Sequence, residues 1–156
     1  MPKYSPHFAF AFLLAATPVV AQSIVAGDGG PVISWYVNEG GEVSKSIDDY
    51  GDPLLSVSHY GRDFEIYFYG CKDGDNCTAI QFYSGYRTEG GVRQGTINEW
   101  NAGRRYIRSY LSDSGSSRIE YDVYLGENGM SQDDFAEVTA IWLRGMRDFE
   151  EHIDWK

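Results

Sequence analysis

Residues 64–83 read FEIYFYGCKDGDNCTAIQFY, and their pattern decides the architecture. Phe64, Ile66 and Phe68 alternate with Glu65, Tyr67 and Tyr69, the period-2 spacing of a half-buried strand. Thr78, Ile80 and Phe82 alternate in the same way with Ala79, Gln81 and Tyr83. Between them lies an acidic turn, Asp73-Gly74-Asp75-Asn76. Setting Cys71 opposite Cys77 places Phe68 against Ile80 and Ile66 against Phe82 on one side. The other side then pairs Tyr69 with Ala79, Tyr67 with Gln81 and Glu65 with Tyr83. A slip of one residue would mix the two faces. Opposed residues in a non-hydrogen-bonded antiparallel pair stand ~4.5 Å apart at Cα, within reach of a disulfide. The apolar pattern and the cross-link therefore predict one and the same register.

Working outward, Val43, Lys45 and Ile47 alternate with polar residues, and Asp48 to Pro53 (DDYGDP) is a turn cluster. Leu54 to His59 predicts another strand, closed by Tyr60-Gly61. Pro31 to Glu39 stays open between helix and strand. Pro31 suits a first helical turn and Gly40 a helix end, yet VISWYV is rich in β-formers. On the far side, Gly85 to Gly95 reads as a loop. Thr96-Ile97-Asn98-Glu99 matches a capping box and predicts a brief helix ended by Gly103. Arg105 to Leu111 and Ser117 to Leu125 predict a second hairpin, with Ile107, Leu111, Ile119, Tyr121, Val123 and Leu125 sharing a face. Arg108 then lies opposite Asp122, or opposite Glu120 if the register shifts by two. Phe135, Val138, Trp142, Met146 and Phe149 recur at helical spacing, with Ile153 one turn on. Ser131 with Asp134 caps that helix, and Arg144 with Asp148 and Arg147 with Glu151 are its expected ion pairs.

The N-terminal residues read as a leader rather than as part of the fold. Lys3 and the amino terminus precede an apolar run, Phe8 to Ala16 (FAFAFLLAA), and Val19-Val20-Ala21 offers a cleavage site. Nine apolar residues rise about 14 Å as a helix, short of a ~30 Å hydrocarbon core, so a membrane anchor fits less well. The expectation is a signal peptide over residues 1–21, cleaved after Ala21, with no stable membrane insertion afterwards. Residues 22–30 (QSIVAGDGG) read as a flexible mature terminus and 31–156 as one domain. The expected location is periplasmic or secreted. In such an oxidising compartment Cys71 and Cys77 pair. Their C-x5-C spacing matches neither a zinc nor a thioredoxin-type motif.

Among 156 residues, Asp+Glu number 23 against 13 Lys+Arg, a formal charge of −10. That acidity argues against a nucleic-acid binder, which needs a basic face to displace phosphate counterions. Trp 4, Tyr 12 and Phe 8 supply large apolar surfaces and argue against a disordered chain.

Four stretches together resemble the YbjN-domain family of bacterial proteins. They are GDPLL (Gly51 to Leu55), Phe64 to Cys77, INEWN with the following RRY (Ile97 to Tyr106), and the apolar helix through Trp142 and Phe149. The resemblance implies an α+β fold similar to type III secretion chaperones, an antiparallel sheet packed against helices in the order α-β-β-β-β-α-β-β-α. It tilts residues 31–39 toward helix. It implies a loose label, sensory-transduction regulator, without a mechanism, and it carries over no catalytic residues. The chaperone likeness also implies homodimerisation as one expected state. An export signal and a cysteine pair add to that pattern and set a cytoplasmic role in question.

Candidate sites each have a plain structural alternative. Asp73 to Asn76 begins like a calcium loop, but Cys77, Thr78 and Ser84 stand where later ligands belong, so no metal is expected. Asp48, Asp49 and Asp52 read as a solvated turn rather than a cation site. Asn98, Asn101, Arg104, Arg105 and Arg108 form a candidate polar patch. Its alternative is that Glu99 caps the helix, Trp100 fills the core, and the arginines pair with Glu120 and Asp122. Tyr67, Tyr69 and Tyr83 form a candidate partner surface, or a second face packed under a helix. His59 and His152 sit in no nucleophile motif. The expected function is a non-enzymatic, chaperone-like protein-binding module without cofactors. A small-ligand sensor using a pocket between the last helix and the sheet, and a hydrolase, are the alternatives. The expected partner is a protein or small ligand of unidentified nature.

Overall fold

The computed structural model describes residues 23–156, so the expected leader and its expected cleavage site lie outside the described residues. Nine elements follow in order: α1 (Gly30–Asn38), β1 (Glu42–Ile47), β2 (Pro53–His59), β3 (Arg62–Tyr69), β4 (Ala79–Tyr86), α2 (Gln94–Gly103), β5 (Arg108–Leu111), β6 (Ser117–Tyr124) and α3 (Gln132–His152). This is the expected α+β order, and it resolves residues 31–39 as helix. Six strands form one antiparallel sheet in the order β1-β2-β3-β4-β6-β5. The β3–β4 register is the one read from the sequence, with Phe68 opposite Ile80, Ile66 opposite Phe82 and Tyr67 opposite Gln81. Cys71 and Cys77 are disulfide-bonded with Cα atoms 3.8 Å apart.

Alternation then decides which side becomes core. Leu55, Val57, Ile66, Phe68, Ile80, Phe82 and Ile119 are buried on one face of the sheet. All three helices pack on that face. α1 contributes Val32, Trp35 and Tyr36, and the Tyr36 hydroxyl is 3.1 Å from Thr139 Oγ1 of α3. Gly29, at φ 89, lets the chain enter α1 against Phe68; an added Cβ would sit 3.3 Å from that ring. α3 lays Phe135, Trp142, Met146 and Phe149 across the sheet, with Trp142 against Phe64 and Phe82. Its N-terminus is capped as expected: the Asp134 amide donates to Ser131 Oγ at 3.0 Å, and the Ser131 hydroxyl donates to Asp134 Oδ2. α2 docks through Trp100, whose ring meets Phe149 edge-on at 5.0 Å.

Several local expectations are corrected. The stretch read as flexible is tied down over its described part. Ile24 bridges Met130 and Gly27 bridges Cys77, while Ile24 and Ala26 are buried. Their apolar side chains and four backbone hydrogen bonds outweigh the small-residue composition. α2 starts at Gln94 after Arg93, so Thr96 lies inside the first turn and no capping box forms. α3 places Asp148 against Arg147 at 2.9 Å and Arg104 at 3.8 Å, rather than against Arg144. The expected Arg147–Glu151 pair does not form, because Arg147 turns to its chain neighbour. Asp48 is used within its turn, its Oδ1 accepting from the Tyr50 and Asp52 amides at 2.9 Å.

Candidate functional site

Residues that alternate with the core point to the opposite face of the sheet, and among the described residues no helix covers it. From β3 come Glu65, Tyr67 and Tyr69, and from β4 Gln81 and Tyr83. Arg118, Glu120 and Asp122 follow from β6, and Arg108 and Tyr110 from β5. The structure thus brings Tyr67, Tyr69 and Tyr83 together on an open face. The reading that packed them under a helix is overturned, because all three helices are spent on the face of Phe and Ile side chains. Tyr69 keeps 45% of its surface exposed, and Tyr67 and Tyr83 are half-buried against each other. The Tyr67 and Tyr83 rings meet edge-to-face at 5.6 Å, a favoured geometry for aromatic pairs.

A polar network runs across the strands beside them. The Tyr67 hydroxyl donates to Glu65 Oε2 at 3.0 Å, and the Tyr69 hydroxyl donates to Gln81 Oε1 at 3.3 Å. The Gln81 amide donates to Asp122 Oδ1 at 2.7 Å and to Glu120 Oε2 at 3.4 Å. Glu120 is buried and also accepts from Arg108 Nε at 3.0 Å, from Arg108 Nη2 at 2.7 Å and from the Tyr110 hydroxyl. Arg108 reaches Asp122 as well, at 3.0 Å. The strand register pairs Arg108 with Glu120, the second of the two alternatives read from the sequence. The Arg118 guanidinium lies over the Tyr83 ring at 5.7 Å and over Tyr110 at 6.0 Å.

These contacts set the protonation states. Burial, reinforced by the hydrogen bond to Glu65, pushes the Tyr67 hydroxyl above its ordinary value. Burial raises Tyr83 too, opposed by Arg118, and burial with the Glu120 bond raises Tyr110. The Glu120 hydrogen bond holds Arg108 more firmly cationic. At neutral pH the face therefore offers neutral phenols and aromatic rings. Beside it, an open trough of about 570 Å³ runs over Ser44, Ser56, Ser58, Asp63, Glu65 and Tyr83. His59 and His152 lie elsewhere: His59 is buried on the helix side, and His152 Nε2 is 2.8 Å from the Thr96 carbonyl.

The polar patch expected from the sequence is not one site. Asn98 takes a hydrogen bond from Gln94 within α2. Asn101 ties α2 to β5, donating to the Ser109 carbonyl at 2.9 Å and accepting from its amide at 2.8 Å. Arg104 turns toward Trp100 and α3, whereas Arg108 joins the open face. Their closeness in sequence is undone by the turn at Tyr106. Sequence reasoning placed Gln81 on the tyrosine side through the β3–β4 register but missed Tyr110 and Arg118 as members of that face. The alternation of Arg108 with Tyr110, and of Arg118 with Glu120 and Asp122, was a readable signal once β6 was known to lie beside β4.

Comparison with known families now bears on this arrangement. The model of the YbjN family, described as "Putative bacterial sensory transduction regulator", matches residues 32–155. The chain belongs to the YbjN family. The matched YbjN domain takes in every strand and helix of the fold except the first two residues of α1, and so the whole tyrosine face. No curated protein and no solved structure matches the chain. No helix among the described residues is long and apolar enough to cross a membrane.

Proposed function

We propose that this YbjN domain is an exported, non-enzymatic protein-binding module of the bacterial envelope, chaperone-like in holding another protein's segment against its sheet. The observation that carries this reading is the six-stranded sheet covered by helices on one face only, its other face bearing Tyr67, Tyr69, Tyr83 and Tyr110. Tyrosine supplies large contact area with a polar handle and is enriched at protein interfaces. The disulfide suits an oxidising compartment, and the leader-like N-terminus supports export. The trough beside Tyr83 gives an extended segment a place to lie.

Site-specific photo-crosslinking in the intact cell tests it. A crosslinker replacing Tyr69 should capture a discrete protein adduct, and Tyr67→Ala/Tyr83→Ala should abolish that adduct. The same crosslinker at Tyr50, a 92% exposed turn residue, is the control. Identical adducts from both positions, or none from Tyr69, would count against the reading. N-terminal sequencing of the cell-derived protein should begin at Gln22.

A small-ligand sensor is favoured by a different observation. A cleft of about 460 Å³ opens between α3 and the ends of β3 and β4, lined by Tyr60, Arg62, Tyr86, Met146, Glu150 and Trp155. A metabolite that raises the melting temperature of the wild type but not of Met146→Trp would support that second reading.

A further inference from the structure

A groove of about 250 Å³ lies on the helix side, between α3 and the segment joining α2 to β5. Its walls carry Arg104, Arg105 and Arg144; half-buried Ile141 lies between them, and Trp100 and Ile107, almost wholly buried, form the floor. Three arginines converge here in a chain whose formal charge is −10. One carboxylate, Asp148, lines the groove with them, and it is already 2.9 Å from Arg147 and 3.8 Å from Arg104. Arg105 and Arg144, both exposed, make no ion pair among the described residues, which leaves their guanidinium donors free for a ligand.

The backbone builds this groove at a conformational cost. Tyr106 sits at φ 69, and the Ile107 amide donates to the Arg105 carbonyl at 2.8 Å. That is a γ-turn of the rare strained hand, on a residue with a bulky side chain. Trp100 Nε1 holds the turn by donating to the Ile107 carbonyl at 3.0 Å, and the Arg104 guanidinium lies 5.2 Å over the Trp100 ring. On the other wall, α3 carries glycine at position 145 inside a long helix, where glycine is disfavoured. A Cβ there would collide with Ile107 Cδ1, so the Ile107 side chain fills the space that the glycine leaves open.

We infer that this groove binds a small organic anion, a carboxylate or phosphate head held by Arg104, Arg105 and Arg144 with a short apolar stem against Ile141. Guanidinium forks match the planar oxygens of both head groups. The volume admits a molecule of a few heavy atoms, and the site is separate from the tyrosine face.

Isothermal titration of the purified full-length chain with inorganic phosphate, butyl phosphate and butyrate, at constant ionic strength, tests it. Expected is saturable one-site binding at millimolar concentration or below, with butyl phosphate or butyrate several-fold tighter than inorganic phosphate. Whichever butyl probe binds tighter identifies the head group. Arg105→Ala/Arg144→Ala should weaken binding by about tenfold or more, losing two charged hydrogen-bond donors. Arg87→Ala/Arg93→Ala, which removes the same charge from a remote loop, should leave it unchanged. Ile141→Glu, a second variant on the far wall, should abolish binding by placing a carboxylate in the groove. No saturable heat from any probe, equal affinity for inorganic and butyl phosphate, or equal weakening by the remote double variant would overturn the inference.

Discussion

Replacing Cys71 and Cys77 together by alanine opens a loop of sequence separation 6 at the tip of the β3–β4 hairpin. In the chain-entropy model, closing so short a loop removes about 7–8 cal/mol/K from the unfolded ensemble, which is about 2 kcal/mol at room temperature. The native hairpin should survive the change. Its register is independently held by Phe68 against Ile80 and Ile66 against Phe82, all fully buried. The Gly27 and Cys77 backbones exchange hydrogen bonds of 3.2 and 3.0 Å that need no sulfur. With unfolding entropy of about 2.1 cal/mol/K per residue, a domain of this size loses about 7 °C of melting temperature. Circular-dichroism melts of oxidised wild type, reduced wild type and the double alanine variant supply the comparison. The last two should agree and both should unfold cooperatively. A loss below about 2 °C would refute the loop-entropy reasoning. A variant without native near-ultraviolet dichroism would refute the claim that the apolar pattern alone suffices for the register.

Other consequences are more local. Ser131→Ala removes the α3 cap and should cost about 1 kcal/mol in urea unfolding, an unchanged midpoint counting against the cap. Glu120→Gln keeps the shape of the buried acceptor but removes its charge from Arg108. Because Arg108 is largely exposed and can be rehydrated, about 1 kcal/mol is expected, again in urea. His59 is buried beside Trp35, Tyr36 and Tyr60, and burial lowers its pKa from 6.5, opposed by the Glu39 charge. Below 6.5 the unfolded state binds the proton that the folded imidazole refuses. Its contribution is therefore fully present above pH 6.5 and is lost as pH falls toward the lowered value. His59→Gln should flatten that part of the stability–pH curve, and an identical slope in wild type and variant would exclude His59 as its source.

The strand and helix pattern was legible wherever neighbours in sequence are also neighbours in space. Residues 64–83 specify their hairpin because apolar residues alternate on both strands and only one register keeps the faces apart. Phe135 to Phe149 specify a helix because their spacing closes one stripe. The boundaries of α2 were less legible. A capping-box pattern at Thr96 and Glu99 lost to a start at Gln94, where docking of Ile97 and Trp100 rather than a side-chain cap holds the helix.

The chain's own alternation determined that one hairpin face would be Phe and Ile and the other Tyr. Which of these two aromatic-rich faces the helices would cover was decided only by tertiary packing, since tyrosine can be buried or exposed. Nothing local states that β6 lies beside β4, and that long-range pairing is what sets Glu120 and Asp122 next to Gln81 and Arg118 next to Tyr83. The strained turn at Tyr106 likewise sends Arg104 to the helix side and Arg108 to the open face, although four positions separate them. Periodicity reports what each residue's neighbours along the chain demand. A functional surface is assembled from residues that meet only after the sheet closes.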